Sequence, residues 1–317
     1  MKSLKSPYAV AGTVAVLMAL AVADLSCGGT ADFQVMLHLR MPRMATAMLA
    51  GAALSLAGAQ MQSVLRNPLA DPHIMGVSSG AALGAAIATM LGGRAGFSGN
   101  TLPGISTAGA AFLGALAAAI VILAASKKFK NATTLLIFGV MLGFIVNAIV
   151  SILQFSSDAE SLKLFYSWTA GSFSNSTWPQ ILIMAAALAI GFIISYNSRK
   201  GLDIILFGDE FAQMAGAGVT GIRLRALLSS CVLTGAVTAF CGPLGFVGIV
   251  APHIARAICR TSAHSTILPA SLLTGCIISL AADLLSQLAS APLPTASTMA
   301  VVGIPVILYI LIKKPAL

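Results

Sequence analysis

Long stretches without a single Asp, Glu, Lys or Arg are the feature that most constrains the fold of this chain. Nine such stretches of 18 residues or more lie at 6–23, 44–65, 72–93, 95–126, 131–157, 164–198, 226–255, 261–282 and 284–312. A helix that crosses a bilayer needs about 20 apolar residues. Only 9% of the 317 residues are charged and 58% are hydrophobic, whereas soluble domains carry about 25% charged residues. The chain is therefore neither a soluble globule nor disordered.

The number of membrane spans depends on the stretch 226–255, which is interrupted by Cys241-Gly242-Pro243. Gly and Pro at this place indicate two short helices rather than one. With an inside N-terminus, ten spans put 14 of the 18 Lys and Arg residues on the cytoplasmic side, as the positive-inside rule favours. We therefore expect an all-α integral membrane protein, a polytopic bundle of ten transmembrane helices with cytoplasmic N- and C-termini. The predicted spans are 7–26, 43–65, 74–93, 105–126, 133–156, 178–198, 224–241, 244–259, 266–287 and 294–312.

Small residues recur at helix-packing spacing inside two of these spans. Gly76, Gly80 and Gly84 are four apart, as are Gly139 and Gly143. Such faces let helix backbones approach closely where lipid provides no hydrophobic driving force. They predict a tightly packed bundle.

The longest predicted cytoplasmic segment lies between Arg199 and Arg223. Within it, Phe207, Phe211 and Met214 fall at i, i+4 and i+7, and Asp209 and Glu210 lie in the first turn, where the helix dipole favours acids. The pattern predicts a short amphipathic helix that either lies on the lipid surface or docks a partner. Surface helices usually have basic polar faces, so we favour partner docking.

The predicted outer face carries Arg40 and Arg43, although positive charge is disfavoured there. They could bind carboxylates of a soluble partner or lipid phosphates. Ionisable side chains are scarce inside the predicted spans, and Asp283 is the clearest case. This scarcity argues against ion coupling, and Asp283 itself could be functional or a paired structural residue.

Other motifs limit the chemistry. No G-x-x-x-x-G-K-[ST] occurs, so any ATP hydrolysis belongs to a partner. Gly76-Val77-Ser78-Ser79-Gly80 matches G-x-S-x-G, but that motif needs a strand-to-helix elbow. An intramembrane serine hydrolase with His253 as the base therefore remains only as an alternative. We expect no metal site, because no two histidines are four apart on a helix, and we expect His38, His73 and His264 to be interfacial.

Several long motifs resemble one known family. In the first half they are Arg40-Met-Pro-Arg43, Gly51-Ala-Ala-Leu-Ser-Leu-Ala-Gly58 and Asn67-Pro-Leu-Ala-Asp-Pro-His-Ile-Met-Gly-Val-Ser-Ser-Gly-Ala-Ala-Leu-Gly84. In the second half they are Gly208-Asp-Glu210 and Gly242-Pro-Leu-Gly-Phe-Val-Gly-Ile-Val-Ala-Pro-His-Ile-Ala-Arg256. They closely resemble the permease subunits of the type II ABC importers for iron–siderophore complexes, haem and cobalamin. The likeness covers nearly the whole chain.

The resemblance implies one permease domain over 1–317, with a cytoplasmic coupling segment at about 201–222, in the cell inner membrane. It implies a homodimer in the lipid bilayer, working with two ATP-binding cassette subunits and a periplasmic or lipid-anchored substrate-binding protein, by alternating access. It implies no catalytic residue, cofactor or nucleic acid. The remaining alternative is an ion-coupled secondary transporter, and the sequence does not identify the chelate.

The resemblance also implies roles for individual residues. Arg40 and Arg43 would dock the binding protein, and the coupling helix would present Phe207, Asp209, Glu210, Phe211 and Met214 to the ATPase. The cytoplasmic gate would comprise Ala132, Thr133, Thr134 and Leu135. The chain departs from the family pattern at Pro292-Leu-Pro-Thr-Ala296, where Glu-Leu-Pro-x-Gly is usual, and at Gln287, where some members carry arginine.

Overall fold

A computed structural model describes residues 7–26, 33–91, 103–129, 131–288 and 293–313. Throughout these ranges the regular elements are helices. In the first half they are α1 (Pro7–Ser26), α2 (Phe33–Val35), a π-helical turn (Met36–Arg40), α3 (Met41–Val64), a 3-10 turn (Pro72–Met75), α4 (Val77–Ala86), a second π-helical turn (Ile87–Leu91), α5 (Pro103–Lys128) and α6 (Ala132–Phe155). In the second half they are α7 (Ala159–Thr169), α8 (Trp178–Asn197), α9 (Arg199–Ile205), α10 (Asp209–Met214), α11 (Val219–Cys241), α12 (Val247–Cys259), α13 (His264–Leu288) and α14 (Thr295–Lys313).

A helix lies at each of the ten segments that the sequence predicts to cross the membrane. By length and composition, six helices of the described chain suit a membrane span: Phe33–Val64, Thr107–Lys128, Ala132–Phe155, Trp178–Asn197, Val219–Cys241 and His264–Leu288. Four shorter apolar helices accompany them: Ala11–Ser26, Val77–Met90, Val247–Cys259 and Thr295–Tyr309. The predicted division of 226–255 is confirmed, because α11 ends at Cys241 and Gly242 has a φ of +79° that only glycine adopts readily.

Helix α7 was not predicted from the sequence, and it overlaps the start of the apolar stretch 164–198. Asp158 caps this helix by accepting a hydrogen bond from the backbone N–H of Ser161 at 3.1 Å. Phe165 is buried beneath it, whereas Glu160 lies exposed in its first turn. An eleven-residue amphipathic helix is too short and too polar for the charge-free criterion that identified the spans.

Close backbone contact between helices depends on the small residues. A Cβ atom on Gly80 would lie 2.5 Å from the carbonyl oxygen of Gly114 in α5, and one on Gly84 would lie 2.0 Å from that of Ala110. The predicted small-residue face of α4 is thus packed directly against a neighbouring backbone. The tight bundle is confirmed at these positions.

The core of the molecule is α3, which the bundle surrounds. Most of its residues from Ala50 onwards are buried, and a Cβ atom on Gly51 would lie 2.2 Å from the carbonyl oxygen of Gly275 in α13. On the next turns, Gly58 approaches Gly248 of α12 in the same way. In contrast, less than a third of the apolar window of α6 and of α8 is buried, and both helices present apolar side chains outward, as is typical of membrane-spanning helices.

Candidate functional site

The short helices α9 and α10 form a segment that joins α8 to α11, and we call residues 199–218 the connecting segment. Leu202 and Ile205 of α9 are fully buried, as is Ala212 of α10. Gly208 separates the two helices with a φ of +112°, a backbone conformation that strains other residues. This turn directs α10 away from α9 while both helices stay packed against the bundle.

The outer surface of the connecting segment is apolar. Phe207 is 75% exposed, Phe211 50% and Met214 81%. The rings of Phe207 and Phe211 lie 5.6 Å apart, centroid to centroid. The predicted amphipathic helix is therefore present as α10, although it begins at Asp209, so that Phe207 precedes it. Large apolar side chains clustered on one exposed surface are typical of an interaction surface.

The two acidic residues at the start of α10 have different surroundings. A carboxylate oxygen of Asp209 accepts a hydrogen bond at 2.8 Å from Nη2 of Arg223 on α11, whose side chain is only 4% exposed. Glu210 is exposed. The sequence treated the pair as equivalent acids of the first turn, but Asp209 ties α10 to α11 and Glu210 alone extends into solvent.

A hydrogen-bonded chain that the sequence analysis missed fastens the other half of the connecting segment. One carboxylate oxygen of Asp203 in α9 accepts from both the backbone N–H of His264, at 2.8 Å, and its Nδ1, at 2.6 Å. The other ring nitrogen of His264 lies 2.6 Å from Oγ of Ser63, near the end of α3. Burial alone would raise the pKa of Asp203, but the hydrogen bonds from His264 outweigh it and lower that pKa.

His264 lies inside the protein, because its side chain is only 2% exposed. The three residues are separated by 61 and 201 positions along the chain. No spacing rule connects residues so far apart, so the sequence held no signal for this cluster.

At the other end of α3, Arg43 forms an ion pair with the fully buried Asp283 of α13. Nε of Arg43 lies 3.0 and 2.9 Å from the two carboxylate oxygens, and Nη2 lies 2.8 Å from Oδ1. Nη2 also donates to Oγ of Ser286 at 3.1 Å. Asp283 is therefore paired inside the bundle.

Gln287 joins a second carboxylate to this ion pair. Its side-chain amide donates to Asp24 of α1 at 2.7 Å and to Asp283 at 3.1 Å. Where the resemblance would allow an arginine, this chain thus has Gln287, a neutral side chain that donates to two acids. Arg40 lies nearby, with Nη1 donating to the carbonyl oxygen of Leu25 at 2.8 Å.

The residues predicted to form a gate lie at the start of α6. Asn131 caps this helix by accepting from the backbone N–H of Thr133 at 2.9 Å. Ala132 and Leu135 are buried, whereas Thr133 and Thr134 are exposed. Only the threonines are thus open to a pathway or a partner.

The structure does not bring together the residues of the hydrolase alternative. Ser78 lies in α4, with its hydroxyl in contact with Nδ1 of His73. The ring of His253 instead contacts the carbonyl oxygen of Pro68, at 2.9 Å. Ser78 follows a left-handed glycine rather than a strand, so the elbow that the motif requires is missing at this site. Over the described residues, no three His, Cys, Asp or Glu side chains are grouped so as to hold a metal ion.

Comparison with known proteins identifies related chains over most of the sequence. The model of the FecCD transport family matches residues 8–313. The vitamin B12 import system permease protein BtuC of Citrobacter koseri is 34% identical over 87% of this chain and 82% of its own length. The hemin transport system permease protein HmuU of Yersinia pestis is 33% identical over 90% of this chain and 85% of its own.

A solved structure supports the same relationship. It is an inward-facing conformation of a metal-chelate type ABC transporter, with a TM-score of 0.87 and 28% sequence identity. The match covers 97% of this chain and 99% of that one. The similarity therefore extends to the whole arrangement of helices.

Proposed function

Because this chain belongs to the FecCD transport family, we propose that it is the membrane-spanning permease of an ATP-driven importer for a metal chelate. The observation that carries this proposal is the connecting segment, whose exposed Phe207, Phe211 and Met214 lie on helices anchored in the bundle. Such a surface suits contact with a partner protein that transmits force to the bundle.

We propose that the ten apolar helices all cross the cell inner membrane, with both termini and the connecting segment on the cytoplasmic side. The charge distribution supports this orientation. Two copies of the chain would form a homodimer around the pathway, with two ATP-binding cassette subunits below and one substrate-binding protein above. The outward-facing apolar surfaces of α6 and α8 suit contact with lipid or with the second copy.

The proposed mechanism is alternating access. Closure of the ATPase subunits displaces the connecting segment, and differential contacts in the two conformations open the pathway to one side at a time. In this mechanism Phe207, Phe211, Met214 and Glu210 contact the ATPase. Asp209 acts through Arg223, which holds α10 against α11.

The remaining predicted sites keep their proposed roles. Arg40 and Arg43 would bind acidic side chains of the substrate-binding protein, and the exposed Thr133 and Thr134 would line the cytoplasmic gate. Since Arg43 also holds Asp283, docking at this residue would share its guanidinium with the ion pair.

The names of the relatives support cobalamin and haem as the first substrates to test, with ferric siderophores as the third class. The chelate itself is recognised mainly by the binding protein in this proposal. Cyanocobalamin and hemin are therefore supplied with each candidate binding protein, and uptake into proteoliposomes is measured.

The decisive experiment compares three permeases in complex with the ATPase: wild type, Phe211→Ala and Glu210→Lys. We expect the two variants to hydrolyse ATP but to import about ten-fold less substrate, since an interface anchor is removed. Phe112→Ala is the matched control, because Phe112 is 39% exposed and lies in α5, outside the connecting segment and outside the surfaces of α6 and α8. Full uptake by Phe211→Ala and Glu210→Lys at normal expression would contradict the coupling role.

The same vesicles test the alternative driving force. Under the proposal, vanadate stops uptake and a protonophore leaves it unchanged. Uptake that survives vanadate and collapses with the protonophore would instead identify an ion-coupled carrier.

A further inference from the structure

The cluster of Asp203, His264 and Ser63 links three helices that are distant in the sequence. Asp203 belongs to α9, His264 is the first residue of α13, and Ser63 is the second-last residue of α3. Both His264 and Ser63 are almost completely buried. Hydrogen bonds shielded from water in this way are stronger and more directional than exposed ones.

The two ring nitrogens of His264 contact residues of two different helices. Nδ1 contacts the Asp203 carboxylate at 2.6 Å, and Nε2 contacts Oγ of Ser63 at 2.6 Å. The same carboxylate accepts from the first backbone N–H of α13, where a negative charge is favoured by the helix dipole. A shift of α9 therefore moves the start of α13 and, through the imidazole ring, the end of α3.

The helices α3 and α13 run antiparallel and are joined along their length. At one end Ser63 meets His264, in the middle Gly51 meets Gly275, and at the other end Arg43 meets Asp283. Ser63 and Arg43 are twenty positions apart, which is about 30 Å along a helix. This helix pair extends from the connecting segment to the opposite face of the bundle, and we call it the α3–α13 strut.

We propose that Asp203 and His264 are positioning residues that fasten the connecting segment to the α3–α13 strut, so that its displacement reaches the far end of the bundle. The inference rests on the proposed function and extends it, since nothing in that function requires this cluster. Asp203 contributes no apolar surface to the ATPase contact. Its role is to pass on a movement that other residues receive.

The test uses the complete complex of permease, ATPase and binding protein in proteoliposomes. Cyanocobalamin, hemin or a ferric siderophore is the probe, whichever the wild-type complex imports. The variants are Asp203→Asn, His264→Gln and the milder Ser63→Ala. For each, the readout is substrate imported per ATP hydrolysed, together with the amount of ATPase that copurifies.

For Asp203→Asn and His264→Gln we expect about a ten-fold fall in substrate imported per ATP, the size that corresponds to a lost charge-assisted hydrogen bond. Copurification of the ATPase should not change. Ser63→Ala, which keeps the Asp203–His264 contact, should show a smaller fall. Asp203→Glu, which keeps the charge, should restore part of the ratio.

The matched control is Asp158→Asn. Asp158 also accepts from a backbone N–H at the start of a helix, but it caps α7, away from the connecting segment. We expect its substrate per ATP to equal that of the wild type. A purely structural role of the Asp203 cluster would lower hydrolysis and uptake together and leave the ratio unchanged, and that result would overturn the inference.

Failure of the inference and failure of the proposed function give different results. If the proposed function is wrong, the wild-type complex itself imports none of cyanocobalamin, hemin and a ferric siderophore in response to ATP. If only the inference is wrong, the wild type imports the probe, and Asp203→Asn and His264→Gln import as much substrate per ATP hydrolysed as the wild type does.

Discussion

Removing Arg43 should destabilise the protein more than any conservative change at its partner. The guanidinium makes three contacts of 2.8–3.0 Å with a carboxylate that is fully buried. Arg43→Met leaves the carboxyl group of Asp283 in the interior without this guanidinium, next to the side-chain amide of Gln287. Losing one partner of a buried ion pair costs about 3–5 kcal/mol. We expect the lower end, about 3 kcal/mol, because the Arg43 side chain is 20% exposed and partly solvated.

The second carboxylate, that of Asp24, makes the loss of Arg43 more destabilising than a change at Asp283. Asp24 accepts from the same Gln287 amide, so Arg43→Met leaves two neighbouring acids without the guanidinium that contacts Asp283. Asp283→Asn removes one of these acids and leaves a guanidinium that can reach water. It should cost about 1–2 kcal/mol.

The assay is thermal unfolding in detergent, at a fixed scan rate, for both single variants and for the double variant Arg43→Met with Asp283→Leu. A loss of about 3 kcal/mol lowers Tm by about 5 °C or more in a chain of this size. The double variant should lie within about 1 kcal/mol of the wild type, because an apolar pair of similar volume replaces a buried ion pair at little cost. The reasoning is refuted if Arg43→Met leaves Tm unchanged, or if the double variant loses the sum of the two single effects.

Three other predictions test separate features. Gly58→Ala should lower Tm, because the added Cβ would lie 1.9 Å from the backbone oxygen of Gly248. The overpacking costs about 1–3 kcal/mol. A Cβ on Gly12 would have nothing within 4 Å, so Gly12→Ala should leave Tm unchanged. The lowered pKa of Asp203 means that its carboxylate stabilises the fold above its ordinary value of 3.8, and that this contribution is lost as the pH falls below it. Tm of Asp203→Asn should therefore fall less than that of the wild type between about pH 5 and about pH 3, and parallel curves would contradict this. Arg40→Glu should weaken capture of the binding protein most at low salt. A pull-down titration in which Arg40→Glu and the wild type have equal affinity at every salt concentration would exclude Arg40 as a docking residue.

The sequence was most informative where a local pattern determines local structure. The break at Gly242 between α11 and α12 follows from residues within a few positions of each other. So does the exposed apolar surface of α10, because a spacing of three and four residues places side chains on one side of a helix. The amphipathic α7 was missed since its mixed composition satisfies neither the charge-free criterion nor a long periodic pattern.

The functional residues show the limit of such reasoning. Both acids at the start of α10 carry the same sequence signal, yet Asp209 binds Arg223 inside the bundle and Glu210 is exposed. Arg43 stood out as a charge on the outer face, but its partner lies 240 positions away. The difference is decided by which neighbouring helix lies beside each residue.

By itself the sequence determined the class of protein, the helices at the ten apolar segments and the small-residue faces, because hydrophobicity and helical periodicity act over a few turns of one helix. Tertiary structure alone decided the pairing of α3 with α13 and the two polar clusters that join their ends, Asp203–His264–Ser63 and Arg43–Asp283. Charged and polar side chains inside a bundle must find partners wherever the packed backbones place them. Those positions are fixed by the approach of whole helices and cannot be read from the spacing of residues along the chain.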